Sequence, residues 1–284
     1  MPAPRIVVLG ANGFVAGGLI HLLEAEGRPC RPVGSSEIDL TDPVAAAKLA
    51  DILKPDDAIV VCSALTPERG RDRAAFLKNI SMIDPLCAAL AGAPCAHVVY
   101  ISSDSVYGSR SEEIDEQSCC EADDFYGLAH IVREKMLAEA CAAGSIPLAL
   151  VRPSAIFGAG DTHNAYGPNR FVRSAISTGR IELFGEGEEQ RDHISIHDVA
   201  RIIHRCLVQR IAGVLNAVTG ISLTFLDVAQ AIEAALGAAI AIERVPRRVP
   251  VTHRRFDSSA LQTAIPDFRA TPFETAIRDM IARL

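Results

Sequence analysis

The sequence has no surplus of positive charge. Lysine and arginine number 28 against 35 aspartates and glutamates, and the formal net charge is −7. Nucleic acid is held mainly through many cationic contacts to phosphate, so it is not an expected partner, although a few local arginines can still bind a small anion. CxxC and HExxH are both missing. The eight cysteines are scattered at 30, 62, 87, 95, 119, 120, 141 and 206, with only Cys119 and Cys120 adjacent. A disulfide frame and a zinc knuckle are thereby excluded, and no histidine spacing suggests a metal. Several cysteines lie in apolar runs, as buried free thiols in a reducing compartment do. The start of the chain shows no charged-then-apolar leader, and no long membrane-spanning run is evident. The expectation is a cytoplasmic protein without a membrane partner. Internal repeats and a disorder signature are also absent. Hydrophobic residues make up 49% of the 284 positions, and mean hydropathy is +0.21. That is enough for one large domain, or one domain with a smaller lobe.

What is present begins at the N-terminus with RIVVLGANGFVAGGL, residues 5–19. A short apolar run meets Gly10, and Gly13, Ala16, Gly17 and Gly18 follow inside a helical apolar pattern. This predicts a strand, a tight turn and a helix whose first N–H groups face a phosphate. Gly10 makes the turn, Gly13 lets the phosphate approach, and Ala16 is the small residue where helix packs on strand. Asn12, Phe14 and Val15 complete this cofactor-binding turn. Strands are then expected at 29–34, 58–62, 96–101, 146–151, 214–218 and 240–245. Helices are expected at 14–26, 44–53, 72–91 with an interruption near Pro85, 126–141, 202–208, 226–236 and from 273. Alternation of apolar strands with helices predicts an α/β fold, a Rossmann-type doubly wound parallel sheet with a small C-terminal substrate-binding lobe. Residues 1–160, with 194–218 returning to them, form the dinucleotide domain, and 161–193 and 219–284 form the lobe. Residues 108–124 are polar and read as a loop.

The end of the second strand bears on cofactor choice. An acid there suits the ribose diol of NAD, whereas Arg31, Ser35 and Ser36 suit the 2′-phosphate of NADP. Glu37 and Asp39 keep NAD open, and the reading leans to NADP. Farther on, Ser102 and Ser103 end a strand at the side of the sheet where α/β proteins bind ligands. Tyr126 opens a helix and His130 follows one turn later on the same face. A phenol beside a cation makes an acid–base pair: the cation favours the phenolate, and the phenol can exchange a proton with a sugar or alcohol oxygen.

These segments resemble one family, the extended short-chain dehydrogenases/reductases, which comprise NAD(P)-dependent sugar epimerases, dehydratases and 4-ketoreductases. The resemblance rests on GANGFVA at 10–16, SSDSVYG at 102–108, Tyr126, RPSAIFG at 152–158 and RDHISIHDVA at 191–200. It implies that Ser103 holds the reacting oxygen and that Tyr126 exchanges the proton. Asp104 would be an auxiliary acid, being half of the acidic pair of the dehydratases, or else a cap for the turn that follows. Ala64 and Asn79 would border the cofactor. The family has lysine at the position of His130, where it contacts the nicotinamide ribose and lowers the phenol pKa. A neutral imidazole gives one donor and no charge. Three readings stay open: a weaker substitute, acid–base duty moved elsewhere, or a protein that binds NADP(H) with little turnover. The resemblance further implies a nucleotide-sugar ligand with Arg191 on its diphosphate, and Asn169 and Arg255 as further contacts. It also implies a homodimer through the helix 126–141, whose Leu137 and alanines are expected on its outer face. The function expected is NADP-dependent reduction of a nucleotide-linked 4-keto-6-deoxy sugar, with a 4-epimerase that retains its cofactor as the alternative.

Overall fold

The computed structural model describes residues 4–28, 30–110 and 113–284. Pro29, the first residue of the expected second strand, and residues 111 and 112 of the polar loop lie outside the described residues. In chain order the elements are β1 (Ile6–Leu9), α1 (Phe14–Ala25), β2 (Cys30–Val33), α2 (Ala45–Ile52), β3 (Ala58–Val61), α3 (Arg73–Ser81), α4 (Asp84–Gly92), β4 (His97–Ile101), β5 (Glu113–Ile114), α5 (Phe125–Ala143), β6 (Leu148–Pro153) and β7 (Ala155–Phe157). They continue as α6 (Pro168–Thr178), β8 (Arg180–Phe184), β9 (Gln190–Ser195), α7 (Ile196–Gln209), β10 (Gly213–Ala217), β11 (Ser222–Thr224), α8 (Phe225–Leu236), β12 (Ala241–Val245), β13 (Arg255–Phe256), α9 (Ser259–Ala264) and α10 (Phe273–Ile281).

Six strands form one sheet in the order β10-β6-β4-β3-β1-β2, and every pairing is parallel. Strands such as β1 and β3 are apolar at every position because both faces are covered. On one face Leu19 and Leu23 of α1 pack with Val199, Ile202 and Ile203 of α7. On the other, Leu49 of α2, Leu86 and Leu90 of α4 and Leu137 of α5 form a second core. This is the doubly wound Rossmann arrangement, and strand order reverses beside β1, where such sheets open a ligand crevice. A separate apolar cluster holds α6, β8, α8 and α10 together outside the sheet.

Several boundaries differ from those expected. The helix 72–91 is two helices, because the chain turns at Met82–Ile83 ahead of Pro85. By length and mean hydropathy alone the stretch Arg73–Gly92 would suffice to cross a membrane, but it is two nine-residue helices, each too short to span one. The polar loop 108–124 contains β5, which pairs in parallel with β13 of the tail. The helix expected at 202–208 starts earlier, at Ile196, capped by Ser195 Oγ accepting from Asp198 N at 3.1 Å. Leu137 is fully buried, so it does not lie on an outer face. Phe125, Leu128 and Leu77 are the large exposed apolar residues of α5 and α3, and Ala138 of α5 is exposed as expected. Cys95, Cys141 and Cys206 are buried, while Cys119 is exposed.

Candidate active site

A cleft of about 940 Å³ opens at the C-terminal ends of β1, β3 and β4, near the upper end of what small-molecule sites span. Its back wall is the glycine turn. Gly10 has φ +82°, and a Cβ there would lie 2.7 Å from the backbone of Ser63. Among the described residues no side chain caps α1, so the N–H groups of its first turn remain available to a phosphate. Gly10, Asn12, Gly13, Phe14, Val15 and Ala64 all line the cleft, as does Ser35. These residues fit a dinucleotide.

Three expected cofactor contacts, Arg31, Ser36 and Asn79, are elsewhere. Arg31 pairs with Glu37 across an exposed turn and Ser36 is exposed outside the cleft. An ion pair six residues long in sequence satisfies the guanidinium before any phosphate is present. Asn79 is buried behind the wall. Its Oδ1 accepts from Leu65 N at 2.8 Å and its Nδ2 donates to Leu65 O at 3.1 Å, so it clamps the loop after β3. Asp39, Thr41, Arg69 and Lys78 instead line the cleft mouth beyond β2. Asp39 Oδ1 accepts from Thr41 N and Oγ1, and these bonds hold its carboxyl below the usual range.

The reacting end is built from the turn after β4 and the start of α5. Ser103, Asp104, Tyr126 and His130 line the same cleft. Ser103 Oγ accepts from Ser105 N at 3.1 Å and caps the short 3-10 turn Asp104–Val106. The cap is therefore Ser103, and Asp104 is left to face Arg254 of the tail at 3.6 Å. Asp124 caps α5, accepting from Gly127 N at 2.9 Å. Gly127 is required because a Cβ there would sit 2.2 Å from Ser105 O. That close approach brings Tyr126 up to the Ser103 turn. Burial pushes the Tyr126 phenol above its ordinary value, with Tyr100 and Asp104 acting in the same direction and Ser103 and Arg133 opposing. His130 is buried with its ring 4.7 Å from that of Tyr126, and burial with the nearby Arg133 pushes its imidazole down to about 3. Burial thus favours the protonated phenol at Tyr126 and, against the cation expected there, the neutral imidazole at His130.

Behind this floor lies a polar network that the motif reading missed. Arg152 forks onto Glu134, with bonds of 2.9 and 2.6 Å. Ser102 Oγ donates to Glu134 at 2.6 Å, Arg152 also donates to Tyr107 Oη at 2.9 Å, and Tyr107 donates to Asn216 at 2.8 Å. Arg133 is fully buried. Its Nε donates to Tyr100 Oη at 3.0 Å, and its other nitrogens donate to Asn79 O and Ser63 O. A signal for both was present: Arg133 and Glu134 lie seven and eight residues after Tyr126, on the face that His130 and Leu137 share.

The three expected substrate contacts have other partners. Arg191 is held by Glu189, Gln190 O and Thr252, outside the cleft. Arg255 donates to Glu113 at 2.6 Å and to Gln190 at 3.1 Å, on the β5–β13 pair. Asn169 does line the cleft, but its amide accepts from Gly158 N at 3.0 Å and donates to Asp161 at 2.6 Å, shaping the wall.

A parallel sheet with a glycine turn at its switch point, and a serine and tyrosine on the floor beside it, defines a dinucleotide-binding α/β protein of oxidoreductase type. Residues 6–217 match the NAD dependent epimerase/dehydratase family, and the chain belongs to it. The chain is 27% identical over 192 residues to dTDP-4-dehydrorhamnose reductase of Mycolicibacterium smegmatis; that match covers 65% of this chain and 55% of the relative. It thus spans about half the length of that relative. A dTDP-4-dehydro-6-deoxy-D-allose reductase of Streptomyces bikiniensis is 24% identical, with 96% of this chain and 94% of the relative covered. Among solved structures, RMD from Pseudomonas aeruginosa complexed with NADPH has the same fold, with TM-score 0.85, 22% identity and 99% of both chains covered.

Proposed function

We propose that the chain is an NADP(H)-dependent oxidoreductase that reduces a keto group of a nucleotide-linked 4-keto-6-deoxy sugar, with Tyr126 as proton donor. The observation that carries this reading is the meeting of Ser103 and Tyr126 on the floor of the cleft whose back wall is the uncapped glycine turn. A bound nicotinamide dinucleotide supplies the hydride. Ser103 Oγ donates to the sugar oxygen and orients it. Tyr126 Oη then gives its proton as that oxygen gains charge. In the reductive direction Tyr126 acts as the phenol, the form that its burial beside His130 favours. His130 gives a hydrogen bond toward the nicotinamide ribose, and Asp104 serves as an auxiliary acid. Lys78, Arg69 and Ser35 at the mouth support NADP in place of the Arg31 contact. The names of the two reductases support the sugar class. The exposed Leu77, Phe125 and Leu128 support a homodimer across α3 and α5.

Cofactor oxidation followed at 340 nm with a panel of nucleotide-linked 4-keto-6-deoxy sugars tests the reading. Stoichiometric NADPH loss that disappears in Tyr126→Phe is expected. Tight NADPH binding with no oxidation by any member of the panel overturns it. The family's epimerases favour one second reading, a 4-epimerase, which would return its cofactor unchanged after each turnover.

A further inference from the structure

Arg133 is a buried cation that the mechanism above leaves unexplained. It is fully enclosed, and its hydrogen-bond partners are the Tyr100 hydroxyl and two backbone carbonyls. Among the described residues no carboxylate pairs with it, and its neighbour Glu134 is held by Arg152. An unneutralised charge in the interior is costly unless something requires it.

Hydrogen-bond direction shows what it does. A guanidinium only donates. Tyr100 Oη accepts from Arg133 Nε at 3.0 Å and lies 2.7 Å from His130 Nδ1. A hydroxyl oxygen can accept twice, but among the described residues the Tyr100 proton has no other acceptor, so the arrangement that satisfies it directs that proton at Nδ1. His130 is neutral, so its single ring proton is on Nε2, and the residue borders the cleft. The groups facing Tyr126 are Tyr100 from β4, Ser103 and Asp104 from the turn after it, and His130 and Arg133 from its own helix. Arg133 is the one cation among these groups, and Arg254 stands beyond Asp104 at 3.6 Å, paired with it.

We propose that Arg133 is a positioning residue for the proton donor: through Tyr100 it holds His130 as the Nε2–H tautomer, and its charge replaces, from behind the floor, the cation missing at position 130. The proposal rests on the reading of Tyr126 as the proton donor. A purely structural role, clamping Ser63 and Asn79 to α5, would leave both the tautomer and the acidity of Tyr126 unmoved.

The test uses the full chain without cofactor or substrate, so a failure to find a turned-over sugar does not affect it. In ¹⁵N-histidine spectra at pH 7 the wild-type His130 is expected as the Nε2–H form, and Tyr100→Phe is expected to admit the Nδ1–H form. With 3,5-difluorotyrosine at position 126, read by ¹⁹F resonance, Arg133→Met is expected to raise the phenol midpoint by about one pH unit or more. Arg133→Lys, which keeps the charge, should stay near the wild-type midpoint. Adding His130→Lys to Arg133→Met should lower the midpoint again. A wild-type Nδ1–H tautomer, a tautomer unmoved by Tyr100→Phe, or a folded Arg133→Met protein with an unchanged midpoint overturns the proposal. Should Arg133→Met fail to fold, the wild-type and Tyr100→Phe spectra decide it.

Discussion

The contact between Gly127 and Ser105 makes a prediction whose sign can be worked out from opposing effects. Gly127 lies in the first turn of α5, with its N–H bonded to the cap Asp124. On helix propensity alone, Gly127→Ala should stabilise the protein by about 1 kcal/mol. The structure says otherwise. The new Cβ would lie 2.2 Å from Ser105 O and 2.8 Å from Ala122 Cβ. Ordinary contact needs roughly 1 Å more, and backbone on both sides must supply it. Overpacking of this kind costs about 1–3 kcal/mol, so a net loss of about 1 kcal/mol is expected. Activity should suffer more. The displaced backbone is that of Tyr126's neighbour on one side and the Ser103 turn on the other, and a misplacement of about 1 Å can cost about a hundredfold in rate. NADPH affinity should change little, because the glycine turn is remote from this contact. Urea unfolding, NADPH fluorescence titration and kcat for the oxidation assay measure the three quantities. A Gly127→Ala protein of equal or greater stability with kcat within about twofold of wild type would refute the reasoning.

Gly10→Ala places a Cβ 2.7 Å from Ser63 in a left-handed conformation. Strain of about 1–3 kcal/mol at the turn should weaken NADPH binding about tenfold or more, read by fluorescence titration. Arg152→Met leaves Glu134 buried without its partner and should cost about 3–5 kcal/mol in urea unfolding. The double change with Glu134→Gln should recover much of that loss, and a double variant no better than the single one would sink the pairing argument. His193 is buried between Phe225 and Phe273 with neither ring nitrogen bonded, and burial with Arg191 nearby pushes it down to about 3. The folded state keeps it neutral while the unfolded chain takes up a proton below about pH 6.5. Stability is therefore full above that pH and falls as pH drops toward 3. His193→Phe should raise stability at pH 7 by about 1 kcal/mol and flatten the acid limb of the stability curve by about one proton, as urea unfolding between pH 7 and pH 4 would show. An acid limb as steep as that of wild type would refute this.

Much of the fold was legible because its signals are local. The apolar runs at β1, β3 and β4 admit few alternatives, and Gly10 followed by Gly13 marks a turn without tertiary information. Boundaries failed where a distant partner decides them. β5 is a two-residue strand that exists only because Arg255 and Phe256 return to pair with it. The split between α3 and α4 fell close to the position that Pro85 marked.

The site divides along the same line. Ser103, Tyr126 and His130 reach one cleft because each stands at the end of an element or one turn into it, so spacing is enough to place them. Arginines are different. A long side chain with five donors takes whichever acceptors the fold brings within reach, and those acceptors are far off in sequence. Arg254 is claimed by Asp104 and Arg133 by Ser63, and Arg191 is shared between Thr252 and its own neighbour Glu189. Arg31 failed for the opposite reason, because Glu37 is near enough to satisfy it locally. The informative pattern was burial and not charge. Arg133 and Glu134 fall on the one face of α5 that His130 and Leu137 bury, and charged residues on such a face must be answered by partners. Glu134 is answered by Arg152. Among the described residues Arg133 is answered only by dipoles, and a cation left in that state beside a phenol bears directly on how readily the phenol gives up its proton.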